Sequence, residues 1–155
     1  MWQRVQTVFL SLTVLCLVSS ILFPIWLAEE GEISYKLFPV SFMTNHAGTR
    51  NFSYFPFCIT AVLIAAAATL AVMEIRRYDN RILQIKLGTL NTLLLAGAMI
   101  SAVVFANRLI NAHPDALWKY DGGLYFIFGA VTFNWLAVRF IRRDEKKVRD
   151  SNRIR

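Results

Sequence analysis

The chain predicts an all-α membrane protein, a four-helix transmembrane bundle, and three observations carry that reading. Hydrophobic residues make up 56% of the 155 positions and the mean hydropathy is +0.46, more apolar side chain than one small water-facing core can bury. Four long runs are almost free of charge. The basic residues gather between and after those runs, where they act as topology determinants. A net charge of +7 would otherwise suggest nucleic acid, but the cations do not follow one soluble face, so no nucleic-acid partner is expected.

Span one covers about 5–27, after a short head whose only charge is Arg4. At 1.5 Å per residue it reaches about 34 Å, enough to cross a hydrocarbon core of about 30 Å. A cleavable signal peptide is the rival reading. Cleavage after Ala28 would place Trp26 where a small residue is needed, and the apolar run is too long, so the segment is expected to be retained. Cys16 follows Leu15, which does not fit a lipoprotein site.

Residues 28–54 form the longest connection, with net charge −1, and belong on the outer face. Runs 33–43 and 49–55 are rich in aromatic and β-branched residues, and Asn45-His-Ala-Gly48 between them carries turn signals. A small β-hairpin is one option there; Pro39 limits any strand to an edge or a short stretch. The aromatic rings from Phe38 to Phe57 suit a membrane interface.

Span two, about 55–75, contains Ala65-Ala-Ala-Ala-Thr69. Span three, about 87–107, contains Gly97 and Ser101. Small residues let helix backbones approach closely in lipid, so the two spans are expected to meet through Ala66, Ala67, Gly97 and Ser101. A charged loop from Glu74 to Lys86 joins them and belongs on the cytoplasmic side; with Glu74 assigned to that loop, no Asp, Glu or His is counted inside any span. That reading weighs against a proton-coupled antiporter. The candidate polar positions within the membrane are instead Asn91, Asn134 and Arg139.

Span four, about 123–141, follows a connection with two basic and two acidic residues, and a basic tail, 142–155, closes the chain. Arg4, the four cations of the Arg76–Lys86 loop and the eight from Arg139 onward make thirteen on one side. Only Lys36, Arg50, Arg108 and Lys119 fall on the other. Both termini are therefore expected in the cytoplasm, with the whole chain as one four-span domain. The tail is expected to continue as a helix and to dock on anionic lipid head groups, with Asp144 and Glu145 meeting Arg77 and Arg81.

Chemistry is sparse. Cys16 and Cys58 sit at different depths, too far apart for a disulfide, and His46 and His113 lie on separate loops without ligand partners at useful spacing. His113-Pro-Asp115 matches the tripeptide of J-domain cochaperones but lacks their flanking helices, and Asn51-Phe-Ser53 is a short glycosylation match frequent by chance. No catalytic, metal or cofactor site is expected.

Three stretches carry a resemblance: Met1-Trp-Gln-Arg-Val-Gln-Thr7, Tyr78-Asp-Asn-Arg-Ile-Leu-Gln-Ile-Lys-Leu-Gly-Thr-Leu-Asn-Thr-Leu-Leu-Leu95, and the tail Arg143-Asp-Glu-Lys-Lys-Val-Arg149 with Arg153-Ile-Arg155. Together they resemble domain of unknown function 4293, a bacterial family of small four-span membrane proteins. Lys147, Asp150 and Asn152 depart from the usual form of the tail and make it more polar. The resemblance implies an inner-membrane location and four spans, and it brings no catalytic or binding residues with it.

Two function classes follow. The first is a non-enzymatic assembly or accessory component that binds protein partners or itself. The second is a small carrier or channel formed by an oligomer, with Asn91, Asn134 and Arg139 along its polar route.

Overall fold

The computed structural model describes residues 2–46, 48–77 and 80–153, with the side chains of 2–4 and 147–153 left aside. Four helices stand side by side: α1 (Trp2–Leu22), α2 (Cys58–Arg76), α3 (Arg81–Ala112) and α4 (Gly122–Arg153). α1 packs on α2 and α4, and α3 packs on the same two. Each helix is long and apolar enough to cross a membrane.

Each helix buries a seam at alternating spacings of three and four, the period of 3–4 ridge packing. On α1 the seam is Gln6, Leu10, Thr13, Leu17 and Ser20; on α2 it is Thr60, Ile64, Ala67, Ala71 and Glu74. On α3 it runs Gln84, Gly88, Asn91, Leu95, Ala98 and Ala102, and on α4 Ile127, Ala130, Asn134, Ala137 and Ile141. The opposite faces expose Leu15, Val62, Leu93, Ile100 and Phe128, apolar side chains that suit lipid rather than water.

The all-α expectation does not hold. Five strands form one antiparallel sheet, which is more than a small hairpin in the first loop. They are β1 (Trp26–Glu30), β2 (Ile33–Leu37), β3 (Phe42–His46), β4 (Thr49–Ser53) and β5 (Leu117–Tyr120), in the order β4-β3-β2-β1-β5. β1 is made from the end of what reads as span one. Pro24 lacks a backbone N–H and disfavours helical geometry at Phe23, so α1 stops at Leu22 and the chain continues extended. A two-residue turn with Gly31 at φ 61° then reverses it into β2, where glycine carries the positive φ without a Cβ clash.

Residues paired across the strands share a face. Trp26, Leu37, Phe42 and Tyr120 form one paired row, and Ala28, Tyr35, Thr44 and Trp118 another. Trp26, Ala28, Tyr35 and Leu37 from these rows are buried in one core with Ile25, Phe105 and Leu109, and Phe42 and Phe57 pack against it. The sheet thus closes one end of the helices. Both long connections contribute to it, since β5 lies between α3 and α4 yet pairs with β1 in register from Trp26–Tyr120 to Glu29–Leu117.

The charged loop between spans two and three is much shorter than its composition suggests. α3 starts at Arg81, with the Asn80 side chain accepting the Leu83 N–H at 3.1 Å as its N-cap. α4 continues unbroken from Gly122 to Arg153, so most of the tail is helical backbone, and tail contacts expected of residues 147–155 lie outside the described side chains.

Candidate functional site

The seams of α2, α3 and α4 converge on a buried polar cluster around Gly88. Asn134, fully buried on α4, donates through Nδ2 to the Gly88 carbonyl at 3.3 Å and to Thr92 Oγ1 at 2.9 Å. Thr92 donates its own hydroxyl hydrogen to the same Gly88 carbonyl at 2.8 Å. Asn134 Oδ1 is thereby left to accept from Asn91 Nδ2, at 2.9 Å. Each of these bonds depends on the others, because reversing either amide would set oxygen against oxygen.

Glu74 completes the cluster, and it corrects the sequence reading. The sequence puts the residue at the start of the charged loop, yet it sits in the last turn of α2, fully buried, so an acidic side chain does lie among the helices. Its backbone carbonyl accepts from Gln84 Nε2 at 3.0 Å, while neither carboxylate oxygen has a hydrogen-bond partner. The carboxylate rests on the Gly88 backbone: a Cβ at Gly88 would lie 2.7 Å from Glu74 Oε1 and 2.5 Å from Val138 Cγ2. The signal that could have found Glu74 is its place on the stripe Thr60, Ile64, Ala67, Ala71.

The other candidate positions divide. Arg139 does not join Asn91 and Asn134; it is exposed on the outer side of α4, with its guanidinium carbon 5.2 Å from the Trp135 ring centroid. There it borders an open groove of about 420 Å³ with Thr89, Leu93, Trp135 and Arg142. Arg142 donates to Thr89 Oγ1 at 3.1 Å. Of the expected tail contacts, Arg81 Nη1 lies 3.3 Å from Asp144 Oδ2, Glu145 flanks a shallow groove with Asn80 and Arg81, and Arg77 is exposed.

Between α2 and α3, Ala67 is fully buried and Ser101 Oγ lies 2.9 Å from Thr60 Oγ1, while Ala66 is half-buried. Gly97 is not forced by a close approach, since a Cβ there would meet Leu63 Cδ1 at an ordinary 3.7 Å. Cys16 and Cys58 are both free thiols, and no group of three or more potential metal ligands occurs among the described residues.

A second polar cluster links the sheet to the end of α3. His113 Nδ1 stands 3.6 Å from Glu30 Oε2, and the His113 ring lies 4.2 Å from that of Tyr35. Burial, then the charge and hydrogen bonding of Glu30, hold the Tyr35 hydroxyl above the ordinary tyrosine pKa.

No curated protein matches this chain. A family model does: that of a domain of unknown function (DUF4293) matches residues 2–154, essentially the whole length, and the chain belongs to that family.

Proposed function

We propose that this protein is a non-enzymatic accessory component of the bacterial inner membrane, which assembles with another protein through the β5 edge of its sheet. The observation that carries the reading is the contrast between the two sheet edges. β4 at one edge is mostly polar, with Thr49, Arg50, Asn51 and Ser53 around one exposed ring, Phe52, and charged or polar edges resist further pairing. β5 at the other edge exposes two apolar side chains, Leu117 at 84% and Trp118 at 46%, beside a single charge at Lys119. An open groove of about 310 Å³ lies over the sheet face across β2, β1 and β5, lined by Leu27, Glu29, Ser34, Lys36, Leu117 and Lys119. An extended segment of a partner added to β5 would gain main-chain hydrogen bonds from the edge and side-chain contacts from the groove.

The orientation that fits this role places the sheet on the outer side and both termini in the cytoplasm. The thirteen-to-four division of Lys and Arg supports it. Anionic head groups then meet the basic end of α4, where each cation near the surface contributes about 1 kcal/mol. Reporter fusions after Gly48, Asp121 and Arg155 test the orientation, with periplasmic activity expected at the first two and absent at the third. For the docking itself, a photo-crosslinking residue at Leu117 should yield a single protein adduct in cells, with none from Thr49 on the far edge. A protein that runs as a lone monomer in mild detergent and forms no adduct from Leu117 or Trp118 would defeat the proposal.

The second reading, a small carrier or channel formed by an oligomer, is favoured by one observation: Glu74 supplies the buried carboxylate that proton-linked carriers commonly use. Flux in proteoliposomes that depends on Glu74, without any sheet partner, would select it.

A further inference from the structure

The cluster around Gly88 has an imbalance between donors and acceptors. Glu74 Oε1, Glu74 Oε2 and Asn91 Oδ1 are all buried, and none has a hydrogen-bond partner. Asn91 cannot turn its amide to relieve this, because its Nδ2 is held by Asn134 Oδ1 and Asn134 is held in turn by Gly88 and Thr92. Three acceptors thus lie in the seam that Gly88 shares, with no donor assigned to them.

No cation among the described side chains reaches the carboxylate. On its own helix Arg76 and Arg77 are exposed. From α3 it meets Gly88, while Gln84 bonds the Glu74 backbone carbonyl instead; Arg81 of that helix is engaged with Asp144 and Lys86 is exposed. α4 presents Val138, while Arg139 stacks on Trp135, Arg142 bonds Thr89, and Arg143 and Lys146 are exposed. The described side chains of α1, from Val5 to Leu22, carry no charge. An ionised carboxylate in this setting loses its hydration and recovers no ion pair in return.

What relieves the imbalance must bring positive charge or a donor. A hard metal ion needs several oxygens gathered around it, commonly six or more, and the packing at Gly88 leaves no room even for a methyl group. A proton needs one lone pair. Bound to a carboxylate oxygen it removes the charge and turns one of the buried acceptors into a donor.

We propose that Glu74 is the binding site of one exchangeable proton, taken up on its carboxyl group from water and returned to water, within the seam of α2, α3 and α4. Uptake forms one O–H bond on Glu74 and breaks one in hydronium, leaving water; release reverses both, with no other bond changed. The neutral acid keeps the three helices closed over Gly88. The inference does not depend on what the sheet binds.

Carboxyl-labelled glutamate tests it by nuclear magnetic resonance on the full chain in nanodiscs. The chain has five glutamates, at 29, 30, 32, 74 and 145. At neutral pH one signal of the five should have the chemical shift of a protonated acid, the other four should be carboxylates, and Glu74→Gln should remove the acid signal alone. Should Glu74→Gln fail to fold, the chain with Gln at 29, 30, 32 and 145 leaves Glu74 as the single labelled site and answers the same question. Replacing choline by sodium or lithium at constant ionic strength should leave the acid signal in place. A carboxylate shift for Glu74 at neutral pH would overturn the proposal, and so would conversion of the acid signal to carboxylate by sodium.

Discussion

Asn91 and Asn134, forty-three residues apart, join α3 to α4 through an Nδ2–Oδ1 hydrogen bond of 2.9 Å between two fully buried amides. The pair anchors a network that also holds the Gly88 carbonyl and Thr92, so removing one amide strands the other. Asn134→Leu should cost about 1–3 kcal/mol, the penalty of an unsatisfied buried polar group. A double-mutant cycle of Asn91→Ala and Asn134→Ala, read by unfolding in mixed micelles, should give a coupling of about 0.6–2 kcal/mol. Additive effects would show that the bond has no energetic role.

Gly88 and Gly97 lie on the same helix and should respond differently to one methyl group. At Gly88 the added carbon meets Val138 and the Glu74 carboxylate at distances that no relaxed Cβ adopts; at Gly97 it meets Leu63 at van der Waals contact. Gly88→Ala should destabilise by about 1–3 kcal/mol through overpacking. Gly97→Ala should be neutral or slightly stabilising, since glycine is the poorer helix former. Thermal unfolding of the two variants in detergent separates them, and equal midpoints would contradict the packing around Gly88.

Arg81 and Asp144 tie the start of α3 to the far part of α4, and both side chains retain partial exposure, 29% and 20%. Solvent screening keeps such a pair small, at about 0.2–1 kcal/mol. Asp144→Lys should loosen that end of α4, and Arg81→Glu added to it should restore part of the loss. Hydrogen exchange along 140–146 reads the effect, which should shrink as salt rises. A tail with equal exchange in all three chains would leave the pair without consequence.

Tyr35 gives a pH prediction with a definite sign. Its hydroxyl is held above the ordinary value of 10.0 by burial first and by Glu30 second. A group whose folded pKa is raised contributes stability that is complete below its unfolded value and is lost as pH rises through the folded one. Wild type should therefore lose stability on the alkaline side of pH 10, and Tyr35→Phe should lose less over that window. Chemical denaturation across the alkaline range measures it; parallel curves for the two chains would refute the assignment.

Four spans and the runs that form them were readable without coordinates, because hydropathy is a local property and twenty apolar residues in a row have few other uses. The family was readable for the same reason: the ends, the middle stretch and the tail each identify themselves. The hairpin signals of the first loop were present too, in the aromatic and β-branched runs around Asn45-His-Ala-Gly48. What remained hidden was pairing between distant segments. Nothing local in Leu117-Trp-Lys-Tyr120 marks it as a strand, since four residues form one only beside Trp26–Glu29, ninety positions earlier.

Glu74 was hidden differently. Two positions before the last residue of its helix and followed by Arg76 and Arg77, it reads as loop. Only its phase with Thr60, Ile64, Ala67 and Ala71 turns it inward, and only the approach of Gly88 from α3 closes the space over it. Sequence by itself determined that these helices are long and apolar enough to cross a membrane, where moving apolar surface out of water is the driving term. Tertiary structure alone decided which polar groups are buried between them. Burial of an Asn or a Glu depends on the side of the helix it occupies and on what the facing helix presents, and neither is a property of the residue or its neighbours in the chain.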